Sequence, residues 1–165
     1  MRNDTRLSRM LHVLIHMDRH QQSATSDTIA QMLGTNPVVV RRTMALLKER
    51  GYVTSEKGHR GGWTLSKSLS DMTLLDIHQA LGSTSIFAIG LSTDHPQCLV
   101  EQAVNEALTG AFDEAQALLL KRLGSITLAQ LAEDFDQRYR QVVGENGQGL
   151  YGPGLIDPGL KPDTV

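Results

Sequence analysis

Residues 57–66 read KGHRGGWTLS, and the reading of this stretch decides the fold. Three side chains that carry or can take positive charge (Lys57, His59, Arg60) and three glycines (Gly58, Gly61, Gly62) fill its first six positions. The only tryptophan of the chain, Trp63, follows them. Just upstream, GYVTSEK (51–57) alternates as a strand, and GWTLS (62–66) can return antiparallel with Trp63 and Leu65 on the same side. Glycines between them permit positive φ and close approach of neighbouring backbone. The stretch is therefore expected to be the tip and return strand of a hairpin, cationic at its end and held at its base by the indole.

What precedes the hairpin gives it a context. In NPVVVRRTMALLKERG (36–51), Asn36 suits an N-cap, and Pro37 suits the first helical position, where its missing N–H costs nothing. Gly51 is placed to stop this helix. Only two residues earlier a shorter helix ends at Gly34; Ser26 or Asp27 can cap it, and Ile29, Ala30, Met32 and Leu33 follow helical spacing. Two short helices joined by so tight a turn make a helix-turn-helix. On a wheel of about 100° per residue, Val40, Met44 and Leu47 face inward, whereas Val38, Arg41, Arg42, Ala45 and Glu49 face outward. Arginines beside small apolar groups suit a DNA major groove: Arg pairs bidentately with guanine, and Val or Ala touches a thymine methyl. A solvated helix face would look the same in isolation. The hairpin that follows tips the balance, since a basic ribbon after a helix-turn-helix is a wing able to lie along phosphates or enter a minor groove.

Upstream, residues 5–20 read as a helix with Leu7, Met10, Leu11, Leu14 and Met17 on its apolar face. His12, His16 and His20 recur every four residues roughly opposite. That spacing invites a metal reading, but a solvated or subunit-facing strip is the simpler expectation, and no metal site is assigned.

Charge divides the chain. Residues 1–70 carry eleven Lys/Arg against five Asp/Glu, and residues 71–165 carry five against thirteen. A basic front half fused to an acidic rear suggests that only the front meets a polyanion, here double-stranded DNA. Aromatics make up only 4% of the chain, so aliphatic side chains must fill the core. No apolar run approaches the roughly 18 residues of a membrane span, and MRNDTRLSRM lacks the apolar stretch of a secretion signal. A cytoplasmic protein without a membrane partner is expected.

In the rear half, Thr73 and Asp76 have capping-box spacing for a helix ending near Leu81 and Gly82. From Pro96, Val100, Val104, Ala107, Ala111, Ala115 and Leu118 recur at three or four residues, and Leu108, Phe112, Leu119 and Leu123 form a second line. The periodicity crosses Gly110, which favours one long helix. One stripe is expected on the chain's own domain and the other on a partner subunit. Thr127 and Gln130 cap a last helix to about Val143. The residues after it, dense in glycine and proline, read as a flexible tail.

The segment TIAQMLGTNPVVVRRTMALLKERGYVTSEKGHRGGWTLSKSLSDMTLLDIHQAL resembles the Rrf2 family of bacterial repressors, above all in the glycine-rich wing ending in an aromatic and the short link into MTLLDI. The similarity extends over roughly residues 5–135. It implies a mainly α fold with a small β-hairpin wing: a winged helix-turn-helix domain over 1–82, a linker or sensor loop over 83–95, a helical dimerisation region over 96–143 and a tail over 144–165. It also implies a homodimer on a palindromic operator, most simply a repressor. Thr25, Asn36, Val38, Arg41, Arg42, Ala45, Lys57, His59 and Arg60 are the expected DNA-binding residues, with Thr25 and Asn36 at phosphates near helix starts.

In iron–sulfur members of this family three cysteines sit near the start of the dimer helix. Here HPQC supplies Cys98 alone, and the matching downstream positions hold Ala103 or Val104 and Thr109 or Gly110. Cluster assembly needs thiolate or imidazole ligands, so no cofactor is expected. What remains is a lone thiol at a helix N-terminus, where the macrodipole favours thiolate; regulation through its modification is one reading and an inert cysteine the other. A winged helix that docks proteins, or a regulator that answers a small ligand, stands as the alternative function. Nothing near His95 and Cys98 supplies the orienting group or oxyanion loop of a thiol enzyme.

Overall fold

The computed structural model describes residues 4–21, 23–56, 58, 61–82 and 90–143. Six helices and one two-stranded sheet follow in the order α1 (Arg6–His20), α2 (Ser26–Leu33), α3 (Pro37–Glu49), β1 (Val53–Ser55), β2 (Trp63–Leu65), α4 (Leu74–Ala80), α5 (Leu99–Gly124) and α6 (Leu128–Val143), with a 3₁₀ turn at Leu69–Asp71 before α4. The chain is a mainly helical winged helix with a long C-terminal helix, as its sequence implies.

The first four helices form a head around one core. Met10, Val13, Leu14 and Met17 of α1 meet Ile29 and Ala30 of α2, Val40, Met44 and Leu47 of α3, and Leu74, Ile77 and Ala80 of α4. Each large aliphatic side chain so buried contributes roughly 1.5–3 kcal/mol, which is what orients the short helices α2 and α4. The core has one distant member. Leu128, the first residue of α6, is fully buried in it. It arrives there because the entrances to α4 and α6 pair: Leu74 N donates to Ile126 O at 3.0 Å, and Leu128 N donates to Met72 O at 2.9 Å. Both entrances are capped reciprocally, Thr73 with Asp76 and Thr127 with Gln130. Arg19 of α1 further holds α6, pairing with Asp136 and lying over the Phe135 ring at 4.4 Å.

Two expectations need correction. The N-cap of α2 is Thr25, whose hydroxyl accepts from Thr28 N at 3.1 Å, and neither Ser26 nor Asp27 has that role. Ser26 instead accepts a hydrogen bond from Trp63 Nε1 at 3.0 Å. Helix α5 runs unbroken across Gly110, yet none of its residues is buried. Its stripe for the chain's own domain is reduced to the C-terminal end, where Leu123 packs against the core and Gly124 lies against Leu75 of α4. The flexible tail and most of the linker expected over 83–95 lie outside the described residues.

Candidate nucleic-acid interface

Helix α3 starts as its sequence demands. Asn36 Oδ1 accepts from Val38 N at 2.8 Å, Pro37 occupies the first turn, and Gly51 takes φ +73° just past the end. With Val40, Thr43, Met44 and Leu47 buried, the opposite face carries exposed Val38, Arg41 and Arg42 and half-buried Ala45. Thr43 satisfies its hydroxyl locally by donating to Val39 O at 3.0 Å. The outward face is thus two guanidinium groups set among small apolar side chains, on a helix whose other side is locked.

The wing is fastened to this helix pair at three points. β1 and β2 pair antiparallel with Val53 opposite Leu65, Thr54 opposite Thr64 and Ser55 opposite Trp63. Ala24 adds a backbone bridge on the far side of β2: Ala24 N donates to Trp63 O at 3.0 Å, and Trp63 N donates to Ala24 O at 2.9 Å. The Trp63–Ser26 hydrogen bond joins the same strand to the first residue of α2, and Lys48 Nζ donates to Ser55 Oγ at 2.7 Å, tying α3 to β1. Gly62 permits this approach, because a Cβ there would stand 2.9 Å from Ala24 O and 3.2 Å from Ser23 Cβ. Gly58, near the tip, has φ +117°. Lys57, His59 and Arg60 lie outside the described residues.

Thr25 and Asn36 are both exposed, at the starts of α2 and α3. Their oxygens already serve as caps, so Asn36 has its side-chain NH₂ left to donate and Thr25 shares its hydroxyl with that of Thr28 at 2.9 Å. The structure thus brings Val38, Arg41, Arg42, Ala45, Thr25 and Asn36 onto the head, whereas Cys98 belongs to a different element, as the N-cap of α5.

Around Cys98 the loop 91–97 folds back on α5. Asn105 Nδ2 donates to Ser92 O at 2.8 Å, His95 N donates to the Glu101 carboxylate at 3.1 Å, and Gln102 Nε2 donates to Pro96 O at 2.8 Å. The thiol is exposed. The backbone N–H groups of the first turn, that of Glu101 foremost and then that of Val100, hold its pKa below the ordinary thiol value. The residues one and two segments further along, Ala103, Val104, Thr109 and Gly110, offer no thiolate or imidazole. Among the described residues no three His, Cys, Asp or Glu side chains converge as a metal would require. The donor set does not fit an iron–sulfur cluster. His12, His16 and His20 form a contiguous strip on α1, with ring centroids 4.6 Å and then 6.0 Å apart.

Ahead of its packed C-terminal end, α5 carries an uncovered apolar stripe. Every member of the Val100, Val104, Ala107, Ala111, Ala115 and Leu118 stripe is exposed, Val100 and Leu118 each at 71%. No described helix is long and apolar enough to cross a membrane.

Comparison with known proteins agrees with this geometry. Residues 3–134 match the Rrf2 family, described as an iron-dependent transcriptional regulator. YwnA of Bacillus subtilis (strain 168), assigned as an HTH-type transcriptional regulator, is 34% identical over 128 residues, which is 76% of this chain and 92% of the relative. A crystal structure assigned as a transcriptional regulator from Lactobacillus plantarum superposes with a TM-score of 0.69 at 26% identity, covering 83% of this chain and 97% of that one. IscR from T. potens, at 18% identity, shares the fold with a TM-score of 0.62 over 84% of this chain and 90% of its own.

Proposed function

This chain belongs to the Rrf2 family of transcriptional regulators, and from that premise we propose that it is a repressor that grips a palindromic operator as a homodimer. Its relatives and its fold are those of regulators and not of enzymes. The observation that carries the reading is the outward face of α3, with Arg41 and Arg42 exposed among small apolar groups beside a wing stapled to the same two helices. In such a frame the recognition helix enters the major groove by its N-terminal residues. Val38, Arg41, Arg42 and Ala45 read base edges, Thr25 and Asn36 hold phosphates, and Lys57, His59 and Arg60 work the wing tip, with Arg60 reaching the minor groove.

The dimer rests on α5. An exposed stripe of this length on a helix with no buried residue exceeds what an isolated chain leaves wet, and a second copy of the helix is its natural cover. The chain then divides as head (1–82), sensor loop (83–95), dimerisation region (96–143) and tail (144–165). Cys98 is the regulatory thiol of this scheme: exposed, lowered in pKa by the helix N-terminus, and open to oxidation or mixed-disulfide formation.

Gel-shift titration against promoter fragments at low salt, paired with sedimentation, tests the scheme. A dimer that retains one fragment is expected, and Arg41→Ala or Arg42→Ala should weaken it by about 1–3 kcal/mol. A monomer in solution, or no fragment retained, overturns it. Oxidant should release DNA from the wild type and leave Cys98→Ser bound; equal responses of the two would remove the thiol from the account.

A further inference from the structure

The first turn of α3 carries two exposed β-branched residues that neither packing nor helix propensity explains. Val38 is 54% exposed and Val39 is 49% exposed. Neither belongs to the core, and valine is a poorer helix former than the alanine or glutamate that a solvated first turn would favour. Position around the helix gives the pair a meaning. At about 100° per residue, Arg42 falls between Val38 and Val39, so one cation is flanked on both sides by an apolar branched side chain. The turn is rigid where they stand: Asn36 caps it at 2.8 Å through the Val38 N–H, and the Val39 carbonyl accepts from the Thr43 hydroxyl. Rigid apolar groups beside a guanidinium match one kind of surface in a duplex. In the major groove, guanine offers O6 and N7 to arginine, and the only apolar projection is the C5-methyl of thymine.

We infer that Val39 is a specificity-determining residue alongside Val38, and that each operator half-site places a guanine between two methyl-bearing pyrimidines, on either strand. The inference rests on the DNA-binding reading above and deepens it. Arg42 takes the guanine, and the two valines each cover one methyl. Because what they recognise is the methyl and not the rest of the base, 5-methylcytosine at a flanking position serves as thymine does, while uracil is bound less tightly.

A library of random duplexes selected in vitro on the full-length chain supplies the probe. The best duplex is then resynthesised with deoxyuridine replacing thymine, one position at a time. Removing a covered methyl should weaken wild-type binding about fourfold, the equivalent of about 0.8 kcal/mol per buried carbon. Val39→Ala should shrink the penalty at one flanking position and Val38→Ala at the other, because the shorter side chain covers less of the methyl, with the salt dependence unchanged. Both variants keep a better helix former on an exposed turn, so folding is preserved. Wild-type binding that ignores every thymine-to-uracil change, or uracil penalties undiminished in both variants, overturns the inference while leaving DNA binding intact. Failure to select any duplex overturns the underlying reading instead.

Discussion

The head and α5 solve the problem of apolar surface in opposite ways. Sixteen buried apolar side chains between Met10 and Leu81 close on one another within the head. Along the 26 residues of α5 no side chain is buried, and Leu99 and Val100 stand 78% and 71% exposed. The two regions are not distinguished by hydropathy, since α5 is as rich in aliphatic residues as α1. They differ in whether the chain can turn back on itself. The head is six short elements joined by tight connections, so each stripe finds another; α5 is a single rod of about 39 Å that packs mainly on α4. The head closes its apolar surface almost entirely from its own elements, with Leu128 of α6 as the one fully buried addition from the rear, whereas the rod leaves most of its apolar side chains exposed.

The strongest way to break this contrast is to charge the rod. Val104→Glu with Leu108→Glu should turn a sedimenting dimer into a monomer and reduce operator affinity at least a hundredfold, while the far-ultraviolet circular dichroism of the head persists. If the double variant remains dimeric, the stripe is not the interface. Next in size is Gly62→Ala. Its Cβ would collide with Ala24 backbone, so β2 must move away from α2; thermal or urea unfolding should register a loss of about 1–3 kcal/mol, and DNA binding should fall more steeply than stability because the wing is displaced. Ser26→Ala removes the hydroxyl that receives the Trp63 indole and should cost about 1 kcal/mol, with a wing-dependent drop in affinity and no change in assembly.

The smallest effect is one of pH. Burial raises the Asp76 pKa, but hydrogen bonds from the Thr73 side chain and backbone and from the Tyr52 hydroxyl outweigh it, and the net shift is below the ordinary 3.8. Its stabilising contribution is therefore complete above that value and is lost as pH falls through the lower folded pKa. Urea unfolding between pH 5 and 2 should show the wild type losing stability more steeply than Asp76→Asn, with sedimentation unchanged by the substitution; equal slopes would deny the capping box this role.

Local chemistry made much of the head legible. Asn36–Pro37 fixes the start of α3, Gly34 and Gly51 fix two ends, and Thr73 with Asp76 fixes the start of α4, because each acts within one turn of its own backbone. The outward set on α3 follows from the same wheel that places its core residues. Where sequence reading failed, the cause lies far along the chain. Thr25 rather than Ser26 caps α2, and the Ser26 hydroxyl instead receives the indole N–H of Trp63, 37 residues away, a contact that local spacing cannot foresee. Periodicity shows that α5 has apolar stripes, but it carries no information on how little of the rod its own domain reaches. Val39 escaped notice because an exposed apolar residue at a wheel's edge looks unremarkable until the burial of its neighbours is known.

Leu128 joins these two regions in one further respect. It is numbered with the rear of the molecule and sits wholly inside the front. A gene fragment cut at residue 82 would therefore carry a leucine-sized hole at the centre of the head, a defect worth about 2–5 kcal/mol. The reading unit is not a detachable module; it is completed by a plug that arrives only after the whole rod has been synthesised.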